Sequence, residues 1–408
     1  MARILIVCNS TFFLSNMRLP VARALTRRGH TVECACGGEG HEELEASVGL
    51  RVHDCAFPRK ASVLAFLSSA SALRRIIRAG QYDCVISSNR NSSIVARIAA
   101  WRERVPVNIY TAHGFYFHDD HSVLGRELLM RFERVLGSIT TCIFSVTAED
   151  MHLMISRGFV PPGRIVWIGQ GIDTRRFRPT ITRSAAESKI GLGPANFRVV
   201  AVGRIVEGKG FSDLLQAIAM LRDEGYHAEL LLVGGNIAHE ISPLARQLTE
   251  QAHALRVADS VTVTGMVDNV EDYLAASDVF VIPSYREGLS RALLEAMSMG
   301  LPVVATSIRG NREVIQDSVT GLLYPPRDVE QLAARLRLLH DEPASGRRIG
   351  QQARAIVLER FDERDFVARQ IVEIERLLSD RGVPAACETC QSPRSDVTVG
   401  LQRSAHQV

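Results

Sequence analysis

Short apolar runs alternate with amphipathic helical patterns along most of the chain. In the first half, strands are predicted at 3–8, 30–36, 51–55, 82–88, 106–111, 140–145 and 164–168. Helices are predicted between them at 15–28, 62–79, 92–103, 121–138 and 147–157. This alternation is typical of a parallel sheet covered by helices on both faces. We therefore predict an α/β fold of the doubly wound type.

A break in the pattern divides the chain in two. Segment 179–196 contains prolines, glycines and serines that are typical of a linker. The alternation then restarts with strands predicted at 198–203, 229–234, 261–263, 278–282 and 302–305. We expect two Rossmann-like domains, 1–180 and 181–361, facing each other across a cleft at the carboxyl ends of their strands.

The C-terminal part lies outside this repeated pattern. Residues 362–381 contain one more amphipathic helix, and residues 382–408 show little periodicity and predict a disordered tail. Cys387 and Cys390 form a single C-x-x-C pair in that tail. One pair supplies too few ligands for a structural zinc site, so we expect no metal.

Composition is consistent with a globular protein of two domains. The 408 residues are 46% hydrophobic and 23% charged, and no apolar run reaches the roughly 18 residues of a spanning helix. The first apolar run, Arg3 to Cys8, is too short for a signal peptide and predicts a buried strand. We therefore expect a cytoplasmic protein.

Positive charge is concentrated in the first half. Residues 1–180 carry 23 lysines and arginines against 15 acidic residues, whereas the whole chain has a net charge of only +3. This asymmetry indicates an anionic partner, either a phosphorylated substrate or a membrane surface. We expect no nucleic-acid partner.

The predicted helix at 121–138 combines arginines with apolar residues. Arg126, Arg131 and Arg134 interleave with Leu128 and its apolar neighbours. Such a stripe can lie on an anionic membrane, but it can equally pack against a protein core. Nearby glutamates that could neutralise the arginines favour the core interpretation.

Two glutamates mark the entrance to a helix in the second half. Glu287 lies in the loop before the helix, and Glu295 lies in its second turn. The amides of Gly288, Leu289 and Ser290 lie between them and can bind an anion. A carboxylate for sugar hydroxyls beside an anion-binding helix end is typical of a nucleotide-sugar site. The alternative is that both glutamates are ordinary solvated residues beside a core helix.

A glycine turn with two cations follows the first strand of the second domain. Gly203 and Arg204 come directly after the strand, and Lys209 lies five residues beyond Arg204. An arginine fork and a lysine point charge can hold a diphosphate without a metal ion. The segment lacks the Walker A pattern. A plain surface turn is the alternative.

Val267 follows the predicted strand 261–263 and could contact a nucleotide base.

His113 ends a strand of the first domain and is followed by Gly114. A histidine at a strand end can point into the cleft and hydrogen-bond a sugar or phosphate without acting as a base. We see no serine or cysteine partner with the pattern of a catalytic triad, which disfavours nucleophilic hydrolysis.

Together these segments resemble retaining glycosyltransferases of family 4, which have the two-Rossmann GT-B fold. The resemblance covers about residues 3–379. It rests on Gly203-Arg204 with Lys209-Gly210, on Glu287-Gly288 with Glu295, on 169–173 with 177–179, on 302–306 and on 320–323.

The resemblance implies a role for each candidate residue. Arg204 and Lys209 would neutralise the donor diphosphate in place of a metal. Glu287 would bind hydroxyls of the transferred sugar, Glu295 would bind the ribose, and His113 would lie near the anomeric centre. The resemblance also implies an acceptor-binding first domain, a nucleotide-sugar-binding second domain, no cofactor, and a last helix that crosses back to the first domain.

A narrower resemblance concerns residues 110–117. This segment is similar to enzymes that add sugars to lipid-linked precursors of bacterial surface polysaccharides, which implies a uridine-diphosphate sugar donor and work at the cytoplasmic face of the inner membrane. Asn9-Ser10-Thr11 replaces the glycine pair that the family usually has after the first strand, which leaves the acceptor open. A nucleotide-sugar epimerase and a non-catalytic nucleotide-sugar sensor are the rival hypotheses.

Overall fold

Two parallel β-sheets form the framework of the protein. The computed structural model describes residues 1–58, 62–114, 123–235 and 243–383. Among the described residues, the first sheet has seven strands and the second has six. Every strand pair in both sheets is parallel. The prediction of two doubly wound Rossmann-like sheets is therefore confirmed.

The strands of the two sheets are short, and all except the last, Leu322–Tyr324, lie close to the predicted positions. The first sheet contains β1 (Arg3–Val7), β2 (Thr31–Cys36), β3 (Val52–Asp54), β4 (Cys84–Ser88), β5 (Val107–Ala112), β6 (Cys142–Ser145) and β7 (Ile165–Trp167). The second contains β8 (Phe197–Val202), β9 (Ala228–Val233), β10 (Val261–Val263), β11 (Val279–Ile282), β12 (Val303–Thr306) and β13 (Leu322–Tyr324). The strands lie in the order β3-β2-β1-β4-β5-β6-β7 in the first sheet and β10-β9-β8-β11-β12-β13 in the second. Four successive residues of β1 are buried, as expected for a strand covered on both faces.

Helices cover both faces of each sheet. In the first half they are α1 (Thr11–Phe13), α2 (Leu19–Arg27), α3 (His41–Val48), α4 (Val63–Gly80), α5 (Arg90–Arg102), α6 (Val123–Ser138) and α7 (Ala148–Ser156). A π-helical turn, Leu14–Arg18, joins α1 to α2. In the second half they are α8 (Arg183–Lys189), α9 (Phe211–Asp223), α10 (Pro243–Ala254), α11 (Val270–Ala275), α12 (Arg291–Ser298), α13 (Arg309–Arg312), α14 (Val329–Asp341), α15 (Pro343–Arg360) and α16 (Glu363–Ser379).

The predicted linker contains a helix that the sequence pattern did not reveal. The Thr182 side chain caps α8 by accepting a hydrogen bond from the amide of Ala185. Glu187 of this helix is buried and accepts a hydrogen bond of 2.8 Å from the buried Arg198 of β8. The helix is therefore held by a charge partner in the second sheet, which local sequence does not show.

Helix α16 crosses back onto the first domain, as predicted. Its buried side chains join the hydrophobic core under the first sheet, with the members Phe366, Ile371, Ile374, Leu377 and Leu378. Asp362 caps the helix by accepting from the amide of Arg364. The tail from 384 onward, with Cys387 and Cys390, lies outside the described residues, so its disorder remains a prediction.

Helix α6 has apolar side chains on two sides. Met130 and Leu136 are buried, and Glu133 is buried in an ion pair with Arg97. On the outward side, four large apolar residues are exposed by 42% to 82%: Leu124, Leu128, Phe132 and Val135. The core interpretation of this helix therefore holds for one face only. Arg131 pairs with Glu127 at 3.5 Å, whereas the Arg126 side chain lies outside the described residues.

None of the described helices is both long and apolar enough to cross a bilayer.

Candidate active site

Glu287 and Lys209 meet at the carboxyl edge of the second sheet. The Lys209 ammonium forms an ion pair with Glu287 Oε1, and the Ser284 hydroxyl donates to the same oxygen at 2.9 Å. The two charged side chains are only 19% and 16% exposed, so water screens this pair incompletely. Two of the predicted site residues are therefore in direct contact.

The sheet order brings the Lys209 loop against the Glu287 loop. Strands β8 and β11 are neighbours, and each loop leaves the carboxyl end of one of them. Gly210 has a left-handed φ of 67°, and a side chain there would overlap the carbonyl oxygen of Pro283. The amide of Tyr285 also donates to the carbonyl of Gly208 at 3.0 Å. The two loops thus form one rigid unit.

Arg204 lies in the same loop with its side chain in solvent. Its guanidinium has no ion pair or hydrogen bond among the described residues. Gly203 lies beside the Lys209 side chain, whose Cε would be 3.4 Å from a Cβ at the glycine. Arg204 thus follows a glycine that lies against the Lys209 side chain, and its contact with a diphosphate remains a prediction.

Three free amides lie just before the first turn of helix α12, beside Glu287. Within the described chain, the N–H groups of Gly288, Leu289 and Ser290 donate no hydrogen bond. Ser290 occupies the N-cap position, but its side chain makes no capping hydrogen bond. These amides retain their capacity to bind an anion at the positive end of the helix.

A buried polar chain below the Glu287 loop was not predicted from the sequence. The Thr306 hydroxyl donates to the carbonyl of Ser284 at 2.6 Å, and the Asn311 amide donates to the carbonyl of Thr306 at 2.9 Å. Thr306 and Asn311 are fully buried. The one sequence feature that could have indicated this chain is a polar residue, Thr306, at the end of a buried strand. This chain fixes Ser284, which in turn holds the Glu287 carboxylate.

The backbone of His113 lies against the entrance of helix α12, across the cleft. A side chain at Gly288 would overlap the carbonyl oxygen of His113, and one at Gly310 would overlap the carbonyl of Gly288. Gly114 has a φ of 100° and lies in the same contact. Glycines on both sides therefore let the two domains approach closely, and they place His113 beside Glu287.

The His113 ring is held by residues that sequence reasoning did not identify. Its Nε2 lies 2.9 Å from Nη2 of the buried Arg18, and its ring packs edge-on against Phe13 at 5.3 Å. Burial, and then the charge of Arg18, lower the pKa of His113 well below its usual value. A neutral His113 is suited to hydrogen bonding and unsuited to carrying a positive charge.

Glu295 lies in the second turn of α12. Its carboxylate lies 3.7 Å from the Arg291 guanidinium. Burial raises the pKa of Glu295, and the charges of Arg291 and Arg176 partly oppose that effect. Glu295 is separate from the Lys209–Glu287 pair.

Val267 is half-buried after β10 and packs on the second-domain core, so its contact with a base remains a prediction.

Two parallel Rossmann-like sheets and a last helix that returns to the first domain define the GT-B class of glycosyltransferases. Two family models match the chain, one described as Glycosyltransferase Family 4 over residues 20–176 and one as Glycosyl transferases group 1 over residues 196–342. The protein is a glycosyltransferase and belongs to glycosyltransferase family 4.

Related proteins cover most of the chain. A Bacillus subtilis protein named as the glycosyltransferase EpsD is 31% identical over 314 residues, which cover 75% of this chain and 79% of EpsD. An Escherichia coli galactosyltransferase, named for transfer from UDP-Gal to α-D-GlcNAc-diphosphoundecaprenol, is 26% identical and covers 70% and 73% of the two chains. Anabaena HepE in complex with UDP and glucose superposes with a TM-score of 0.76 at 20% identity, over 93% of this chain and all of HepE. This last likeness shows the fold.

Proposed function

We propose that the protein is a metal-independent, retaining glycosyltransferase that moves a sugar from a UDP-sugar to a lipid-linked acceptor in the synthesis of a cell-surface polysaccharide. The observation that carries the proposal is the Lys209–Glu287 pair beside the free amides of α12, with His113 facing it from the other domain. A sugar diphosphate requires cations and amides for its phosphates and a carboxylate for its sugar hydroxyls, all within one site.

The donor diphosphate would be held by positive charge from the second domain. Lys209 has three donor hydrogens, so it can keep its bond to Glu287 while it contacts a phosphate oxygen. Arg204 can add a guanidinium fork from the same loop, and the amides of Gly288, Leu289 and Ser290 supply further donors. These groups together can balance the diphosphate charge without a metal. The choice of UDP is supported by the ligand of HepE and by the name of the Escherichia coli relative.

Transfer that retains the anomeric configuration needs no side chain of the protein as a base. The bond between the anomeric carbon and the diphosphate oxygen breaks, and the acceptor oxygen forms a bond to the same face of that carbon. The acceptor proton passes to the departing phosphate oxygen. Negative charge grows on the diphosphate as the bond breaks, so Arg204 and Lys209 bind the transition state more strongly than the ground state. Glu287 would hold the sugar hydroxyls, Glu295 the ribose, and the neutral His113 the sugar near its reacting carbon.

The acceptor would reach the cleft from a membrane surface. The outward face of α6 exposes Leu124, Leu128, Phe132 and Val135. Residues 1–180 also carry the excess of positive charge. Exposed apolar residues within a basic domain fit an anionic bilayer better than water. We therefore place the protein in the cytoplasm, peripherally on the inner membrane, and infer a polyprenyl-diphosphate-linked acceptor of the kind named for the Escherichia coli relative.

The test is a Lys209→Ala variant with a matched control. The assay mixes a panel of UDP-sugars with a polyprenyl-diphosphate-linked sugar in anionic vesicles and follows product by mass. Loss of the Lys209 charge should lower kcat about 10²–10³-fold. Lys189→Ala removes a more exposed lysine–carboxylate pair, with Asp272 at 2.8 Å, that does not contact Lys209 or Glu287, and this variant should transfer normally.

Other outcomes of this assay would contradict the proposal. Normal transfer by Lys209→Ala would reject the diphosphate role, and strong inhibition by a chelator would reject metal independence. An inverted anomeric configuration, read by NMR of the product, would reject retention. Isomerised UDP-sugar without acceptor would indicate an epimerase, and donor binding without turnover would indicate a sensor.

A further inference from the structure

Arg18 is a buried cation with no carboxylate partner among the residues that the structure describes. Only 1% of the Arg18 surface is exposed to solvent. The guanidinium donates to Ser88 Oγ at 2.7 Å and to Gln370 Oε1 at 3.1 Å, and its Nη2 lies 2.9 Å from His113 Nε2. All three partners are uncharged side chains. Burying a charge with neutral partners only is costly, so this arrangement calls for a role beyond packing.

The chemistry of arginine determines which nitrogen of His113 carries the proton. A guanidinium can only donate hydrogen bonds, so Nε2 of His113 must accept with its lone pair. The proton of the neutral ring then sits on Nδ1. Nδ1 has no hydrogen-bond partner in the described part of the chain, so its N–H remains available to a ligand.

Burial and the charge of Arg18 favour the neutral form of the His113 ring. Burial lowers the pKa of Arg18 to about 10, so the guanidinium is still positive at neutral pH. The Cys8 thiol at the end of β1 has its pKa raised, by a hydrogen bond with Cys36 and by burial, and is uncharged. Across the cleft, the Glu287 carboxylate is already paired with Lys209. Among the described residues, no carboxylate forms an ion pair with the ring that would stabilise an imidazolium.

Gln370 connects this network to the crossover helix. It lies in α16, is fully buried, and accepts from Arg18 Nη1. Its Nε2 is buried without a hydrogen-bond partner among the described residues. A leucine would pack at this position without that desolvation cost. The cost is offset because the hydrogen bond from Arg18 to Gln370 Oε1 orients the Arg18 guanidinium.

We propose that Arg18 and Gln370 are positioning residues that hold His113 as the neutral Nδ1–H tautomer, so that its free N–H donates to the bound sugar. This inference rests on the proposed function for its sugar ligand, but the tautomer itself does not. The crossover helix is thereby a part of the site: it reaches His113 through Gln370 and Arg18 and sets the direction of one hydrogen bond.

The first experiment reads the tautomer directly. Long-range ¹H–¹⁵N spectra of the full chain identify the His113 ring by comparison with His113→Asn. We expect the Nδ1–H pattern, unchanged on acidification to about pH 5.5, a full unit below the ordinary histidine pKa. An Nε2–H pattern, or protonation with a midpoint near the ordinary value, overturns the proposal. This readout needs no substrate, so it stands even if no sugar is transferred.

Variants then test the two positioning residues. Arg18→Met removes the charge and the donors, so His113 should show mixed tautomers and a raised pKa, and kcat should gain an acid limb with about a tenfold loss one unit below that pKa. Arg18→Lys keeps a charged donor and should retain the Nδ1–H pattern even if Arg18→Met does not fold. Gln370→Leu should lower kcat with little change in the donor KM.

A packing control separates positioning from simple structural support. Ile374→Val loosens the same helix against the first domain without touching the polar network. It should leave the His113 signals and the pH profile of kcat unchanged. If Ile374→Val shifts the histidine signals as much as Gln370→Leu does, or if Arg18→Met folds and leaves them unchanged, the proposal is wrong.

Discussion

Gly288→Ala tests whether the close contact between the domains belongs to the reactive state. An added Cβ would overlap the His113 carbonyl oxygen, lie 2.6 Å from its carbonyl carbon, and lie 3.0 Å from the amide nitrogen of Gly114. Non-bonded carbon atoms normally approach to roughly 3.5–4.0 Å, so the two segments must separate by about 1 Å. A misplacement of that size costs about 100-fold in rate, equivalent to about 2.7 kcal/mol.

The free energy of unfolding of the same variant should change little. Gly288 does not have a positive φ, so alanine can adopt its backbone conformation. A glycine-to-alanine change without strain adds about 0.4–1 kcal/mol to the free energy of unfolding, and the overlap with the His113 backbone removes that gain here. We therefore expect an unchanged or slightly lower Tm together with a kcat about 100-fold lower.

The assay pairs transfer kinetics with thermal unfolding. Gly193→Ala is the control, because a Cβ there meets nothing within 4 Å, and it should leave kcat unchanged. Transfer at the wild-type rate by Gly288→Ala would refute the reasoning, because the sugar would then react without the contact between His113 and Gly288. A large fall in Tm would also refute it, since the overlap would then act on folding.

Two further predictions concern the buried carboxyl and the exposed helix face. Burial raises the pKa of Glu295, so its contribution to stability is present below its ordinary pKa and is lost as pH rises through the raised value. Glu295→Gln should therefore unfold at a higher temperature than wild type at pH 7 and at an equal one below about pH 4, while its donor KM rises if the carboxylate binds ribose. Equal Tm values at pH 7 would contradict this. Leu128→Glu should weaken sedimentation with anionic vesicles about tenfold, because it places a negative charge on a 69%-exposed apolar position. Leu358→Glu, at a 44%-exposed position of α15 in the second domain, should bind vesicles normally, and equal binding by both variants would reject α6 as the docking surface.

Much of the fold could be predicted from local patterns. Predicted strand 82–88 appears as Cys84–Ser88 and predicted helix 62–79 as Val63–Gly80, because buried parallel strands and amphipathic helices each leave a periodic signal. The exposed side of α6 could not be predicted in this way. Its periodicity shows two apolar sides, and only the packing of α5 and the first sheet decides which of them is buried.

Local sequence also identified the chemistry of the second domain but not its contacts. Lys209 and Glu287 stood out as a strand-end cation and a helix-mouth carboxylate, yet they are 78 residues apart. They meet because β8 and β11 are neighbours in the sheet. Arg18 could not be recognised at all, since an arginine near a helix start is normally solvated and no local signal announces that it is buried.

The sequence by itself determined which segments are strands and helices, and which of them end in residues suited to phosphate and sugar, because those properties depend on neighbours a few positions away. The tertiary structure alone decided that His113 lies against Gly288, that Lys209 is paired with Glu287, and that Gln370 of the last helix reaches Arg18. Each of these contacts joins segments from different parts of the chain. Their geometry follows from strand order, domain closure and side-chain burial, which are properties of the packed molecule as a whole.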